Sequence, residues 1–167
     1  MKNINIIIGR FQPLTYGHLK CLKELYNETG MKIILCIIKV IDTNEKHPFK
    51  SAELIKIYKN IPELYKYIED IIEVPNADIV KIEESLNKSG YNIKYWVCGS
   101  DRIKSYQKMV DKYAPEIKML EIPRTDNDIS ATMVRQLLKD NNKKLFLKYT
   151  PIPEKYYNQL WREISVL

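Results

Sequence analysis

The sequence predicts an α/β fold with a parallel β-sheet. Five apolar runs of strand length occur along the chain, at residues 4–8, 32–40, 71–74, 95–98 and 117–122. Most of the segments between them carry apolar residues at helical spacing, as at Leu19, Leu22 and Leu25. Alternation of buried strands with amphipathic helices is typical of βαβ units, in which a helix connects two parallel strands.

The same pattern predicts the helices. The first five are expected at residues 17–28, 51–60, 77–89, 102–113 and 130–139. After residue 140 a short segment at 145–149 precedes a helix from 154 to about 164, on which Tyr157, Leu160, Trp161 and Ile164 share one face. We therefore expect one domain over residues 1–167, with 140–167 as a C-terminal helical extension packed on it. A subunit contact through this helix is the alternative.

Composition sets the class of protein. A chain of 167 residues with 45% hydrophobic and 29% charged residues suits one domain with a core. The sequence has neither an apolar stretch near the roughly 20 residues that span a bilayer nor a signal-peptide pattern, so we expect a cytoplasmic protein without a membrane partner. Cys21, Cys36 and Cys98 lack metal-binding spacing and are expected to be buried free thiols.

The net charge of +6 permits partners of two kinds, anionic small molecules and nucleic acids. The lysines are scattered, and the clearest helical series, Lys104, Lys108 and Lys112, fits a solvated face. We therefore do not expect a nucleic-acid partner.

A phosphate-binding turn is predicted where the first apolar run leads into the first helix, at Gly9-Arg10-Phe11-Gln12-Pro13-Leu14-Thr15-Tyr16-Gly17-His18. Gly9 allows a ligand to approach the backbone, and Gly17 leaves the helix start open. A helix start directs unpaired N–H groups at an anion, and Arg10, Thr15 and His18 add side-chain donors.

A second helix start with the same character is Ile129-Ser130-Ala131-Thr132-Met133-Val134-Arg135. Ser130 is a good N-cap, Thr132 lies in the first turn, and Arg135 lies about one turn further on. Alone, this segment would be explained by capping. Because both segments follow strands of the predicted sheet, at the edge where open α/β sheets bind ligands, the pair indicates one nucleotide site.

At these residues the sequence resembles the nucleotidyltransferase superfamily with the HxGH and ISxTxxR signatures. Thr15-Tyr16-Gly17-His18 stands where HxGH is found, with Thr in place of the first His, as in phosphopantetheine adenylyltransferases. The segment Gly9 to Pro13 is most similar to archaeal-type nicotinamide mononucleotide adenylyltransferases, and Ile129 to Arg135 matches ISxTxxR completely. The resemblance implies a Rossmann-like doubly wound parallel sheet.

Two further segments are candidates for the site. Gly99-Ser100-Asp101-Arg102 follows the fourth apolar run, and the equivalent turn in the superfamily lines the nucleotide pocket; Asp101 either caps the next helix or contacts ligand hydroxyls. The loop at 42–51 resembles the NPF substrate loop of nicotinamide mononucleotide adenylyltransferases, with His47 in place of Asn. His47, Phe49 and Lys50 are therefore candidates for acceptor binding. The alternatives are that His47 is only an exposed loop imidazole and that Lys50 only faces solvent.

The resemblance implies transfer of AMP from ATP to a phosphate monoester, with release of pyrophosphate. His18, Thr15 and Arg10 are expected to act at the reacting phosphate. The residues expected to bind the nucleotide are Gly9, Arg10, Phe11, Gln12, Gly17, His18, Gly99, Asp101, Arg102, Ile129, Ser130, Thr132 and Arg135. Mg²⁺ is expected as cofactor, held mainly by the nucleotide phosphates; Asp126 and Asp128 either position it or only keep their loop soluble.

The acceptor is less well determined than the reaction. Nicotinamide mononucleotide, giving NAD, is the first choice; 4′-phosphopantetheine, or a small alcohol phosphate with CTP, are the alternatives. A nucleotide-binding regulatory protein with little catalysis is an alternative of another class. Relatives are often oligomers, and the sequence leaves a homo-oligomer open.

Overall fold

The computed structural model describes residues 1–122 and 130–167. Ile129, one of the residues expected to bind the nucleotide, lies outside the described residues, and so do Asp126 and Asp128.

Five parallel strands form one sheet in the order β3-β2-β1-β4-β5. They are β1 (Lys2–Gly9), β2 (Ile33–Ile38), β3 (Ile68–Val74), β4 (Tyr91–Cys98) and β5 (Lys118–Glu121). The predicted doubly wound parallel sheet is confirmed. β3 and β4 begin earlier than the apolar runs predicted, because Glu69, Asp70, Asn92 and Lys94 interrupt the apolar pattern.

The helices surround the sheet and match the predicted ones closely. They are α1 (Tyr16–Thr29), α2 (Ser51–Tyr58), α3 (Ile79–Lys88), α4 (Ile103–Tyr113), α5 (Ala131–Lys139), α6 (Lys143–Tyr149) and α7 (Tyr157–Ser165). The short segment expected at 145–149 is the helix α6. The predicted last helix starts with a 3₁₀ turn, Glu154–Tyr156, and a second 3₁₀ turn that the sequence did not predict is Pro62–Lys66.

Side-chain caps define several helix starts. Thr15, Asp78, Ser130 and Asn142 each accept a backbone N–H from the residue three positions further on. Each cap satisfies a donor that the helix itself leaves unpaired. The predicted cap at Ser130 is confirmed.

The sheet separates two apolar cores. On one face, Ile7 and Leu35 pack with α2 and with Phe146 and Leu160 of the C-terminal helices. On the other face, Ile34 and Trp96 pack with α3 and α4. Tyr157, Leu160 and Ile164 are buried, whereas Trp161 is half-buried, so α7 docks on the first core through the predicted face.

Cys36 and Cys98 are buried free thiols, as expected, but Cys21 is not fully buried. It is half-buried because it lines the cavity described below. Burial raises the pKa of Cys36 to about 12 and that of Cys98 to about 11. Within residues 1–122 and 130–167, no helix has the length and apolar character needed to cross a membrane.

Candidate active site

A cavity of about 930 Å³ opens at the carboxyl ends of β1 and β4, where the strand order reverses. This is the position at which doubly wound sheets bind ligands. The cavity brings together predicted site residues from three loops: Gly9, Arg10, Phe11, His18, His47, Gly99, Asp101 and Arg102.

The turn after β1 places an aromatic ring against the predicted catalytic histidine. Phe11 has φ +49°, in the left-handed region that a residue with a side chain rarely adopts. Its ring meets that of His18 edge-on, with 5.1 Å between centroids and 79° between planes. A Cβ on Gly9 would lie 3.2 Å from the Phe11 ring, so the absence of a side chain at Gly9 makes room for this ring.

Thr15 orients His18. The Thr15 hydroxyl accepts the His18 backbone N–H at 3.3 Å, and the Thr15 backbone N–H donates to His18 Nδ1 at 2.9 Å. Because Nδ1 is the acceptor, the neutral imidazole carries its proton on Nε2. Thr15 is 1% exposed and lies behind the cavity wall, so the structure gives its side chain a capping role rather than the predicted contact with a phosphate oxygen.

Gln12 and Phe49 differ from their predicted places. Their side chains are 3% and 0% exposed, respectively, which puts both in the core. The Gln12 amide donates to the Phe49 carbonyl at 2.8 Å, and its oxygen accepts the Phe49 N–H at 3.0 Å. The two residues fasten the turn after β1 to the loop before α2, and neither side chain lines the cavity.

The second motif contacts the first. Ser130 caps α5 by accepting the Met133 N–H at 3.2 Å. Arg135 Nη1 donates to the Gln12 carbonyl at 2.7 Å, and Nη2 donates to the Thr132 hydroxyl at 3.3 Å. The start of α5 therefore lies beside the turn that carries Arg10 and His18, as the pairing of the motifs predicted.

The region around His47 is positively charged. Burial, together with the charges of Arg10, Lys46 and Arg135, lowers the pKa of His47. These cations lie close enough to one another to raise the local potential, which favours a polyanion such as a triphosphate.

The turn after β4 decides between the two roles foreseen for Asp101. The residue before α4 is Arg102, and no side chain caps this helix. An ideal Cβ on Gly99 would lie 2.9 Å from Asp101 Oδ1, so the carboxylate folds over Gly99 on the cavity wall. Asp101 therefore does not cap α4, and its carboxylate lies on the cavity wall; its contact with a ligand stays a prediction.

Lys50 lies away from the cavity wall. It is exposed just before α2, and its charge acts on Glu163 of α7, where it partly opposes the rise in the pKa of Glu163 that burial causes. Since this places Lys50 toward the C-terminal helix, the structure gives no support to a contact with phosphate.

Several residues that lie near the site were not predicted from the sequence. Lys39 and Asp42 line a second cavity of about 380 Å³, which shares Arg10, His47 and Pro75 with the first. The position of Lys39 directly after β2, at the ligand-binding edge, was a signal that could have identified it. Tyr106 also lines the main cavity, where its ring stacks on buried Trp96 at 4.1 Å.

The sequence match agrees with this geometry. Residues 6–137 match the family model described as cytidylyltransferase-like. The chain belongs to this family. The nucleotidyltransferase superfamily inferred from the motifs is therefore confirmed, and the chain is a nucleotidyltransferase. No curated protein sequence matches the chain.

Solved structures share the fold at low sequence identity. Plasmodium falciparum nicotinic acid mononucleotide adenylyltransferase complexed with APC is 22% identical, with 97% of this chain and 98% of that chain covered and a TM-score of 0.58. A bifunctional NMN adenylyltransferase/ADP ribose pyrophosphatase from Francisella tularensis, complexed with AMP and a manganese ion, is 20% identical, with coverages of 99% and 52% and a TM-score of 0.61. Thermotoga maritima TmcAL bound with alpha-thio ATP is 14% identical, with coverages of 99% and 56% and a TM-score of 0.64. These likenesses support the Rossmann-like fold.

Proposed function

We propose that this nucleotidyltransferase transfers AMP from ATP to a phosphate monoester, with nicotinamide mononucleotide as the first-choice acceptor and NAD as the product. The observation that carries the proposal is the joining of the two motifs: Arg135 donates to the Gln12 carbonyl, in the turn that leads to His18. The neighbours that act on nicotinic acid or nicotinamide mononucleotide support the choice of acceptor.

The reaction needs alignment and charge neutralisation more than acid–base chemistry. An acceptor phosphate oxygen attacks the α-phosphorus, a new P–O bond forms, and the bond to the bridging oxygen breaks, so that pyrophosphate leaves with that electron pair. The acceptor phosphate is an anion near neutral pH, and no side chain has to remove a proton from it. Preorganised donors then lower the barrier by stabilising the charge that develops on the oxygens.

His18 is the donor for the α-phosphate in this mechanism. Its Nδ1 is engaged by the Thr15 N–H, so the proton on Nε2 is the one that it offers. In this proposal Arg10, Ser130, Thr132 and Arg135 hold the β- and γ-phosphates, which become the leaving group. Arg135 uses two of its five N–H donors in contacts with the described residues, and in this proposal others serve the phosphates.

Among the described residues, a divalent cation fits this site as a partner of the nucleotide. In residues 1–122 and 130–167 no group of three or more His, Cys, Asp or Glu side chains could hold a metal ion. Mg²⁺ commonly retains several waters and binds substrate phosphates, where it neutralises charge on the leaving group. The residues present suit a metal that arrives with ATP.

The second cavity is the proposed place for the acceptor. It adjoins the main cavity at Arg10 and His47, so an acceptor phosphate at this junction would face the α-phosphate beside His18. Lys39 and Asp42 line its walls; Lys39 offers a hydrogen-bond donor, and Asp42 a hydrogen-bond acceptor, to the part of the substrate beyond its phosphate. A base with a carboxamide, which both donates and accepts hydrogen bonds, suits such a pair.

The test is pyrophosphate release with Mg²⁺ and either ATP or CTP, across a panel of acceptors: nicotinamide mononucleotide, nicotinic acid mononucleotide, phosphopantetheine and glycerol 3-phosphate. We expect release with ATP and nicotinamide mononucleotide, and a fall in kcat of at least about a hundredfold in His18→Ala, since one preorganised donor contributes roughly this much. His47→Ala, which removes the second histidine of the cavity wall, is expected to raise the KM for the acceptor more than it lowers kcat.

Three other outcomes are informative. Normal kcat in folded His18→Ala would remove His18 from the mechanism. Release with CTP, or with another acceptor of the panel, would replace the first-choice substrates by those alternatives. Tight ATP binding with no release from any acceptor would favour the regulatory nucleotide-binding protein.

A further inference from the structure

The turn that carries the phosphate-binding residues is held by two buried hydroxyl groups from distant parts of the chain. The Tyr58 hydroxyl donates to the Phe11 carbonyl at 2.6 Å and accepts the Leu14 N–H at 2.8 Å. The Thr150 hydroxyl donates to the Leu14 carbonyl at 2.8 Å. Tyr58 and Thr150 are 0% and 1% exposed, so water cannot replace either contact.

These contacts act where the backbone is under strain. Phe11 has φ +49°, which is unfavourable for a residue with a side chain and persists only where the surroundings enforce it. Tyr58 bridges the carbonyl of Phe11 and the N–H of Leu14, and so closes the turn around that strained residue. Burial raises the pKa of Tyr58, which keeps its hydroxyl protonated and able to donate.

The geometry extends from this turn to the proposed catalytic group. Thr15 follows Leu14 directly, and its backbone N–H donates to His18 Nδ1. The Phe11 ring also contacts His18 and lies edge-on to its imidazole. A change in the Phe11 or Leu14 peptide groups would therefore move these two contacts of His18.

We propose that Tyr58 and Thr150 are positioning residues for nucleotidyl transfer, which hold the turn so that His18 meets the α-phosphate in the productive orientation. The proposal rests on the proposed function of His18. It also gives the C-terminal segment a part in the reaction, since Thr150 follows α6 and reaches the turn across 136 positions of sequence. Neither residue touches the cavity, and both act through the backbone of the turn.

Tyr58→Phe is the first variant, and Tyr157→Phe is its matched control. Tyr157 is also buried, and its hydroxyl also makes a hydrogen bond, to Asn141 at 2.8 Å, but it does not reach the turn. We expect both variants to lose a similar amount of thermal stability. Only Tyr58→Phe should lower kcat, by about ten- to a hundredfold, because small misplacements of a catalytic group cost this much. The KM for ATP should change far less.

Thr150 offers a second comparison. Thr150→Val removes the hydroxyl at nearly constant volume, whereas Thr150→Ser keeps it. We expect Thr150→Val to lower kcat about tenfold, because a small misplacement of His18 is enough for such a loss, and Thr150→Ser to keep most of the wild-type kcat. Loss of kcat in proportion to lost stability in all four variants would overturn the proposal, and so would wild-type kcat in folded Tyr58→Phe.

A spectroscopic readout separates this proposal from the proposed function. The chain has two histidines, so the ring-proton NMR resonances of His18 can be assigned with His47→Ala. Tyr58→Phe should shift the His18 resonances, and Tyr157→Phe should leave them in place. If the wild-type protein is inactive but Tyr58→Phe shifts the His18 resonances, the proposed reaction is rejected and the positioning contact is kept. If the His18 resonances are unchanged in Tyr58→Phe, the positioning contact is rejected, whatever the activity.

Discussion

At the scale of single residues, the position of a side chain in the site depends on how closely it can approach the neighbouring backbone. Asp101 illustrates this, because its carboxylate occupies the space beside Gly99 where any other residue would carry a Cβ. The sequence identified the Gly99-Ser100-Asp101 turn as part of the site, but left Asp101 between capping and ligand contact. The distinction needed the start of α4 at Ile103, which moves the capping position to Arg102.

Gly99→Ala should displace the Asp101 carboxylate, since the new Cβ would lie 2.9 Å from Oδ1. If Asp101 contacts the nucleotide, both Gly99→Ala and Asp101→Ala should weaken ATP binding, by roughly three- to twentyfold for one hydrogen bond. The double variant should be little weaker than either single one, because both changes remove the same contact. Isothermal titration of ATP measures all three, and additive losses would show that the two positions act separately.

At the scale of elements, the sequence predicted most strands and helices because their signals are local. Apolar runs placed the five strands, and capping chemistry placed the start of α5 at Ser130. The contacts of Gln12 with Phe49 and of Tyr58 with Phe11 were not predictable, because they join residues 37 and 47 positions apart. Nothing in the local pattern of Tyr58 distinguishes it from an ordinary core tyrosine until the fold brings it to the turn.

The stability of the protein should depend on pH through Glu163, a residue of α7 that interacts with Glu53 of α2. Burial is the main cause that raises the pKa of Glu163 to about 7. A hydrogen bond between the Glu163 and Glu53 carboxyl groups and the charge of Glu53 add to the rise. Because this folded-state pKa lies above the ordinary value of a carboxyl group, the folded protein binds the proton more tightly than the unfolded chain. Stability should therefore decline as pH rises from about 4.5 to about 7.

Glu163→Gln should flatten this decline and raise the free energy of unfolding at pH 8 by on the order of 1 kcal/mol, since the amide donates to Glu53 at every pH. Glu84→Gln is the control, because Glu84 belongs to an exposed pair with Lys88. Urea unfolding between pH 5 and 8 measures the slope for each protein. An identical slope in Glu163→Gln and wild type would assign the dependence elsewhere, for instance to the Glu83–Glu116 pair, where the pKa of Glu83 is also raised to about 7.

At the scale of the whole molecule, the cavity joins parts of the chain that fold into both cores. Its wall includes residues from β1, α1, β4 and α4, and the loop before α2. The start of α5 is tied to the same turn by Arg135. A ligand that bridges these parts favours the folded state over the unfolded chain by mass action.

ATP should therefore raise the melting temperature of the whole protein, and its phosphates should supply most of the effect. At a concentration of about 100 Kd, a ligand adds about 2.7 kcal/mol, which corresponds to roughly 5–10 °C for a domain of this size. Adenosine at the same concentration is the control: it presents the base and the ribose but no charge to Arg10, Arg102 and the region around His47. Differential scanning fluorimetry, with Mg²⁺ present in both samples, compares the two ligands. Equal shifts would show that the base and the ribose dominate binding, and that the cations at this edge of the sheet do not select a polyphosphate.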